Sequence, residues 1–172
     1  DAPGDWQSPV EAPLAYLASR LAGVAGAKTI YEPTAGNGML LIEADPETQD
    51  VGANEIDPAR AAALERQGFN VTTEDATADP RSELADAVIA NPPFGAVREA
   101  GESKVFENDG FKTTNIDHAV ALNALQIMAK KGRAVLILGG IKAESIEERR
   151  KGYRGQAKRK FFTKLYNSYN VT

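Results

Sequence analysis

The 172-residue sequence contains no cysteine and one histidine, His118. The missing cysteines exclude a disulfide framework, a thiolate metal site and any mechanism with a cysteine nucleophile, including methylation of a pyrimidine at ring carbon five. A single histidine argues against a multi-histidine metal site and against a Ser–His–Asp triad, so we expect no bound metal. We interpret His118 as a surface or helix-capping residue rather than a catalytic one.

Long apolar runs are also missing from the sequence. No stretch reaches the about 18 apolar residues that a membrane-spanning helix needs, and the N-terminus has no signal-peptide pattern. These absences predict a cytoplasmic protein without a membrane partner. The length is that of one ordinary domain, and such a domain buries enough surface to fold without disulfides or metals.

Charge is distributed unevenly along the chain. Residues 1–141 contain 11 Lys/Arg and 21 Asp/Glu, a net charge of -10, whereas residues 142–172 contain 9 Lys/Arg and 3 Asp/Glu, a net charge of +6. A basic end on an acidic body is typical of nucleic-acid contact. A solvated helix face has the same composition, so both interpretations stay open on charge alone.

Predicted strands alternate with predicted helices along the sequence. The strands are expected at residues 29–32, 50–56, 69–74, 85–90 and 132–138, with the first residues of a sixth at 170–172. The helices are expected from Ser8 as N-cap to about residue 22, from Met39 onward, and at residues 58–67, 116–130 and 156–169. This alternation favours a Rossmann-like, doubly wound, mostly parallel α/β sheet. Because the sequence stops where a strand begins, we expect truncation near the sixth strand and further domains in the same polypeptide.

The turn after the first strand is rich in glycine and reads Glu32-Pro33-Thr34-Ala35-Gly36-Asn37-Gly38. Gly36 and Gly38 have no side chain that would keep a ligand away from the backbone N–H groups at the start of the next helix. Leu41 stands where the dinucleotide fingerprint would have its third glycine, and no P-loop lysine follows.

Carboxylates stand at the ends of the next two predicted strands. Glu55 ends the second strand, where it can accept hydrogen bonds from ribose hydroxyls, and Asp75 ends the third, where it can bind an adenine amino group. Together with the glycine turn they predict a nucleoside pocket along the carboxyl ends of three strands. Asp57, which precedes Pro58, is expected to be the N-cap of the following helix.

The fourth strand ends in Asn91-Pro92-Pro93-Phe94. Two successive prolines cannot continue a strand ladder and fix a rigid, extended turn. The Asn91 side-chain oxygen and the Pro92 carbonyl can accept both N–H bonds of a planar amino group, and they bind it more strongly as the nitrogen gains positive charge in the transition state. Phe94 offers a face on which a base can stack.

In this order, the motifs resemble those of class I S-adenosylmethionine-dependent methyltransferases. The turn from Asn91 to Phe94 is similar to that of adenine-N6 DNA methyltransferases, and the tail from Lys160 to Val171 resembles large phage and plasmid methylase–helicase proteins of the antirestriction type. The resemblance implies S-adenosylmethionine as cofactor. It also implies transfer of the methyl group to the exocyclic amine of an adenine that is flipped out of DNA.

The resemblance assigns a role to each motif residue. Gln7, Ser8 and Pro9 would cover the methionine end of the cofactor, and its amino-acid part would be held by Glu32, Pro33, Thr34, Ala35, Gly36 and Gly38. Glu55 would take the ribose hydroxyls, Ile56 would pack on the adenine ring, and the adenine amine would be bound at Asp75 and Ala76. The target base would be held by Asn91, Pro92, Pro93 and Phe94, with Asn91 also contacting the cofactor.

We therefore expect one methyltransferase domain over residues 1–172. It would have a cofactor-covering segment at 1–27, an active-site loop at 95–115 and a basic segment at 142–169 that contacts the DNA backbone. Apolar residues of the basic segment are expected in the core, namely Phe161, Phe162, Leu165 and Tyr169. The alternatives are an RNA-base or protein-glutamine N-methyltransferase, whose amide presents the same delocalised lone pair, and a catalytically silent methyltransferase-like module that binds nucleic acid.

Overall fold

The structure of the chain is a computed structural model that describes residues 10–78, 84–140 and 144–172. The chain divides into two compact units between Leu138 and Gly139. The predicted cofactor-covering residues Gln7, Ser8 and Pro9 lie outside the described residues, as does the helix start predicted at Ser8.

The first unit alternates strands and helices, as the sequence predicts. Its helices are α1 (Ala12–Ala22), α2 (Pro58–Arg66) and α3 (Ile116–Ile127). Its strands are β1 (Thr29–Glu32), β2 (Asp50–Asn54), β3 (Asn70–Thr72), β4 (Ala85–Ala90), β5 (Arg98–Glu99), β6 (Glu102–Ser103), β7 (Phe106–Asn108), β8 (Phe111–Thr113) and β9 (Met128–Leu136).

Five strands form the central sheet in the order β3-β2-β1-β4-β9, and every adjacent pair is parallel. The predicted doubly wound parallel sheet is thus confirmed. The chain first moves outward from β1 to β2 and β3 and then returns to the other side of β1 with β4. This reversal puts the topological switch point between β1 and β4, and ligands of such sheets bind at the carboxyl ends of the strands there.

Helices cover both faces of this sheet, and alternate strand residues face each layer. On one face Ile30, Val51 and Ile89 pack with buried residues of α1 and α2. On the opposite face, Tyr31 and Val88 pack with the α3 residues Ala124 and Ile127. Burial on both faces explains why the strands read as short apolar runs rather than as alternating patterns.

The predictions for the start of α2 and for the bounds of β4 are confirmed in the structure. Asp57 is the N-cap of α2, as predicted, and its Oδ1 accepts a hydrogen bond from Arg60 N at 2.9 Å. Strand β4 spans the predicted residues. Helix α1 begins at Ala12 and has Pro13 in its first turn, where the missing N–H costs no helical hydrogen bond.

Three predicted elements differ from the structure. The helix expected from Met39 is a single 3-10 turn, Met39–Leu41. Asp45 precedes Pro46, and a residue before proline disfavours helical backbone. The Asp45 side chain also stabilises a turn by accepting hydrogen bonds from Glu47 and Thr48. Strand β9 begins at Met128 instead of Gly132, which shortens α3. Residues 170–172 are not a strand, since they pair with no strand of the described chain.

The stretch from Gly95 to Asn115 folds as two β-hairpins, β5–β6 and β7–β8. The second has the two-residue loop Asp109-Gly110, with both residues at positive φ (45° and 70°), which is the backbone of a type I′ turn. An Asp-Gly pair between two short runs is a strong hairpin signal. The hairpin was therefore present in the sequence and missing from our prediction.

His118 is buried, with 1 % of its surface exposed, so its assignment as a surface residue is wrong. It lies in the first turn of α3, a helix whose residues are almost all buried between the sheet and β7. Its Nδ1 lies 3.4 Å from the Thr113 hydroxyl. The histidine therefore belongs to a buried polar group at the start of α3.

The second unit contains α4 (Ile146–Arg154), which the sequence analysis missed, and α5 (Gln156–Ser168). Ser145 caps α4 by accepting a hydrogen bond from Glu148 N at 3.1 Å. On α5, Phe161 and Leu165 are buried as predicted, whereas Phe162 and Tyr169 are only half-buried. In the part of the chain that the structure describes, no helix combines the length and the apolar character needed to cross a membrane.

Candidate functional site

The glycine turn leaves the carboxyl end of β1 and requires glycine at both predicted positions. Gly36 and Gly38 have φ of 57° and 78°, in the left-handed region that residues with a side chain rarely adopt. A Cβ on Gly38 would also lie 2.8 Å from Cδ2 of Leu64. The turn is closed by Gly38 N, which donates to Ala35 O at 2.8 Å, and it is tied to β2 by Ala35 N, which donates to Asn54 O at 2.9 Å.

Glu55 follows β2 and is bound to this turn. Its Oε2 accepts a hydrogen bond from Gly36 N, and its Oε1 accepts one from Asp57 N and one from Arg60 Nη2, all at 2.8 Å. A carboxylate has about four lone-pair positions. Three of these positions are occupied. One of the three is filled by the guanidinium of Arg60, whose side chain is 36 % exposed.

Glu32 is the last residue of β1, and its side chain is completely buried. Burial, and to a lesser degree the Glu55 carboxylate nearby, raise the pKa of Glu32 well above its usual range. Its Oε2 is buried and makes no hydrogen bond within the described residues. A buried carboxyl without a partner is costly, and a cation or an N–H donor placed here would relieve that cost.

Asn54, the last residue of β2, connects the three loops that leave β1, β2 and β3. Its buried Nδ2 donates to Pro33 O at 3.0 Å and to Glu74 O at 2.9 Å. Its Oδ1 accepts hydrogen bonds from Thr72 Oγ1 and Glu74 N, both at 2.9 Å. One amide thus fixes the backbone before the glycine turn relative to the backbone before Asp75.

We expect Asn54→Leu to lower the free energy of unfolding by about 3 to 4 kcal/mol, since each lost hydrogen bond is worth about 1 kcal/mol and buried partners are left unpaired. The matched control is Asn70→Leu, which removes one exposed hydrogen bond to Asp50 and should cost less than about 1 kcal/mol. Urea unfolding of both variants measures the difference. Equal losses would show that Asn54 does not hold the loops together.

Asp75 and Ala76 follow β3 on the α3 side of the sheet. They line a pocket together with Tyr31, Pro33 and Asn123. Asp75 Oδ1 accepts hydrogen bonds from the backbone N and the hydroxyl of Thr77, at 2.8 and 2.7 Å. The other carboxylate oxygen, Oδ2, makes no hydrogen bond among the described residues and remains available to a ligand.

The turn that contains Ala76 is held by the amide of Asn123 on α3. Its Nδ2 donates to Ala76 O at 3.1 Å and to Ala78 O at 2.5 Å, while its Oδ1 accepts from Asn108 of the β7–β8 hairpin. Lys104, which follows the β5–β6 hairpin, is also within electrostatic reach of Asp75 in this turn. The pKa of Lys104 is raised chiefly by its hydrogen bond to Glu99 and further by the charges of Glu99 and Asp75.

The proline turn follows β4 at the switch point. The parallel register pairs Tyr31 with Val88, and its continuation places Asn91 level with Thr34 of the glycine turn. Asn91 and Pro92 are buried, whereas Phe94 is 40 % exposed. The described peptide bonds, including those before Pro92 and Pro93, are all trans.

The structure thus brings most of the predicted residues to one edge of the sheet. Gly36 donates to Glu55, and the charge of Glu55 acts on the buried Glu32 nearby. Asn91 follows the adjacent strand, and Ile56 is 65 % exposed beside Glu55. Asp75 and Ala76 line the pocket on the α3 side of the sheet, together with Pro33 and Asn54, which are the sequence neighbours of Glu32 and Glu55. The sequence analysis missed Asn54 and Asn123 as positioning residues. The available signal was a polar residue inside an otherwise apolar strand end or helix face.

No protein-family model matches the sequence, and no curated protein matches it significantly. Solved structures do resemble it. A protein from Vibrio vulnificus YJ016, assigned as a modification subunit of a type I restriction enzyme, is 18% identical with a TM-score of 0.60, over 89% of this chain and 39% of its own. The sugar N-methyltransferase KedS8 from Streptoalloteichus sp ATCC 53650 is 17% identical with a TM-score of 0.52, over 85% of this chain and 60% of its own.

A protein from Listeria monocytogenes, assigned as a class I S-adenosylmethionine-dependent methyltransferase, is also similar. It is 14% identical with a TM-score of 0.54, over 78% of this chain and 47% of its own. This chain therefore has the fold of class I methyltransferases. It spans between 39% and 60% of the length of these three proteins.

Proposed function

We propose that this chain binds S-adenosylmethionine at the carboxyl ends of β1 and β2 and transfers its methyl group to the exocyclic amine of adenine in DNA. The observation that carries the proposal is the buried Glu32 carboxyl, which lies next to Glu55 and has no hydrogen-bond partner at Oε2. A cationic ligand group that also donates N–H bonds would satisfy such a carboxyl. The ammonium group in the amino-acid part of S-adenosylmethionine is of this kind.

The residues around Glu32 fit the rest of the cofactor. Gly36 has no side chain and adopts positive φ, which would let a ligand approach its backbone, whereas the missing side chain of Gly38 makes room for Leu64. Glu55 would accept the ribose hydroxyls, the first at its remaining lone pair and the second after Arg60 moves aside. Ile56 would pack its exposed side chain on the adenine ring, and Asp75 with Ala76 would bind the adenine amine.

The proline turn would bind the target amine. When bound, S-adenosylmethionine supplies an electrophilic methyl group. The Asn91 side-chain oxygen and the Pro92 carbonyl would accept the two N–H bonds of the amine, orient its lone pair and stabilise the positive charge that develops on nitrogen. Phe94 would stack against the base. The turn needs no strong base for this chemistry, because the amine loses its proton after the nitrogen has become cationic.

An amine acceptor is supported by one of the similar structures, which is named as a sugar N-methyltransferase. Another is named as a modification subunit of a type I restriction enzyme. DNA is favoured as the substrate because the motif turn resembles that of adenine-N6 enzymes and because the second unit is strongly basic. Its cations would bind the DNA backbone, whose phosphates attract them irrespective of sequence.

The test incubates the chain with isotopically labelled S-adenosylmethionine and, separately, with unmethylated DNA, RNA and a glutamine-containing protein extract. We expect the label in DNA as N6-methyladenine after nucleoside analysis. Label in an RNA base or in a glutamine side chain would instead identify the chain as an RNA-base or a protein-glutamine N-methyltransferase. Saturable cofactor binding by calorimetry without transfer to any acceptor would indicate the catalytically silent module.

A further inference from the structure

The second unit carries an uncompensated positive charge. From Arg149 to Thr172 the sequence contains eight Lys/Arg and no Asp/Glu. Among the described residues, Lys151 forms an ion pair with Glu147 at 3.2 Å, and Lys158 donates to Gly139 O at 2.5 Å. Five further exposed cations form no ion pair with any residue that the structure describes, namely Arg149, Arg150, Arg154, Arg159 and Lys160. Such a surface attracts a polyanion.

One face of α5 combines these cations with a free aromatic ring. Arg159, Thr163 and Tyr166 follow one another at i, i+4 and i+7, so they lie along one stripe of the helix. Lys160 and Asn167 flank this stripe. We call these five residues the α5 stripe; all are exposed, and the exposed fraction of Tyr166 is 65 %.

Tyr166 differs from the other aromatic residues of the second unit. The ring of Tyr153 lies 6.1 Å from that of Phe162 and beneath the Lys158 ammonium, and Phe162 also contacts the buried Phe161. Tyr166 makes no ring contact, hydrogen bond or ion pair with any described residue. A large, 65 % exposed ring on the same stripe as Arg159 is therefore available to a planar ligand.

We infer that the α5 stripe binds an unpaired nucleic-acid strand, with Arg159 and Lys160 on its phosphates and one base stacked on Tyr166. Cations alone would fit any polyanion, but a free ring beside them is what single-strand binding sites provide for a base. A lipid surface fits less well, since the apolar residues Phe161 and Leu165 of α5 are buried and cannot insert. In a duplex the bases are already stacked, so the tyrosine ring would add little.

This inference rests on the proposed function for the choice of DNA. It deepens that function by naming the form of substrate that the second unit holds, namely a strand that is locally unpaired. Chemistry on an adenine requires an unstacked base, and a stripe that retains unpaired nucleotides would supply one. The binding itself requires neither the cofactor nor the proline turn, which allows a separate test.

The test measures fluorescence anisotropy of a labelled single-stranded DNA, and of the same strand in a duplex, with the full chain and no cofactor. We expect Tyr166→Ala to weaken single-strand binding about tenfold without changing its salt dependence. The matched control is Tyr16→Ala, since Tyr16 is an exposed helical tyrosine of the first unit. It should leave the affinity unchanged.

The cations are tested with the double variant Arg159→Gln/Lys160→Gln against Lys130→Gln/Lys131→Gln, which removes the same charge from exposed residues of β9. We expect the first to lower the slope of log affinity against log salt by about 1.4, or about 0.7 per phosphate contact on a single strand. The second should leave the slope unchanged. Circular dichroism checks that every variant keeps its helices.

Equal affinities of Tyr166→Ala and Tyr16→Ala would overturn the inference, as would tighter binding of the duplex than of the single strand. Calorimetric titration of S-adenosylmethionine into the same variants separates this inference from the proposed function. Intact cofactor binding and methyl transfer with no role for the α5 stripe would refute only the inference. Single-strand binding that depends on Tyr166, in a chain that methylates nothing, would refute only the proposed function.

Discussion

Asn91→Ala is expected to lower the rate of methyl transfer by about 10²- to 10³-fold, which is the usual loss when one positioned dipole is removed from a developing charge. The alanine has no oxygen to accept an N–H bond of the target amine, and it leaves only the Pro92 carbonyl on the rigid turn. Single-turnover methylation measures the loss. Cofactor affinity, measured by calorimetry, should change much less than the rate.

Asn91→Asp is the matched variant, because aspartate has nearly the shape of asparagine and keeps an acceptor oxygen at the same place. We expect it to retain more activity than the alanine variant. If both variants lose the same activity, the asparagine oxygen is not what stabilises the amine. If neither loses activity, the proline turn is not the catalytic element and the target would have to be bound elsewhere.

Glu32→Gln is expected to weaken S-adenosylmethionine binding by about 100-fold, since a hydrogen bond to a charged group is worth about 1.5–3 kcal/mol and a buried cation would lose its counter-charge. Glu65→Gln on the exposed surface of α2 serves as the control and should bind normally. Calorimetric titration of both variants gives the two affinities. Undiminished affinity of Glu32→Gln would remove the observation on which the proposed function rests.

The raised pKa of Glu32 adds a pH dependence to this result. In the free protein the folded state holds the Glu32 proton more tightly than the unfolded chain, so the stability contributed by this group is present at acidic pH and lost as the pH rises through the folded pKa. Glu32→Gln should therefore raise the free energy of unfolding at neutral pH, and the gain should vanish below the unfolded pKa. A variant less stable than the wild type at neutral pH would contradict the burial argument.

Cofactor binding should show the complementary trend. Ionised Glu32 pairs with the ammonium group, so affinity should rise with pH until Glu32 is deprotonated in the free protein. Binding below that pH should release a proton, which titrations in buffers of different ionisation enthalpy detect. In Glu32→Gln, both the rise of cofactor affinity with pH and the proton release should disappear.

Much of the fold could be predicted from the sequence because its signals are local. The alternation of short apolar runs with helical patterns identified the strands of the central sheet, and the Asp57-Pro58 pair identified the start of α2. The two hairpins were also encoded locally, at least where Asp109-Gly110 demands positive φ. The helix expected from Met39 failed because Asp45-Pro46 ended it after one turn, which is a local signal that outweighed apolar periodicity.

Helix α1 shows where periodicity stops being informative. Leu14, Leu17 and Leu21 repeat at helical spacing, yet all three are about half exposed, and the helix buries its small residues, including Ala15 and Ala18. The sheet and the turn at Met39–Leu41 approach this face closely, and only small side chains fit there. Periodicity identifies a helix, but the space available in the neighbouring layer decides which face it buries.

The sequence by itself determined which residue types stand at the strand ends: the glycines of the turn, the carboxylates of Glu32 and Glu55, and the amide of Asn91. The tertiary structure decided which of them meet. The strand order places β1 between β2 and β4, so groups about 20 to 60 positions apart become neighbours. It buries Glu32 without a partner at Oε2 and gives Asn54 its four hydrogen bonds. Sequence patterns report the type of local element, whereas the burial of a side chain and its partners depend on strand order, register and packing, which are set by contacts between distant segments.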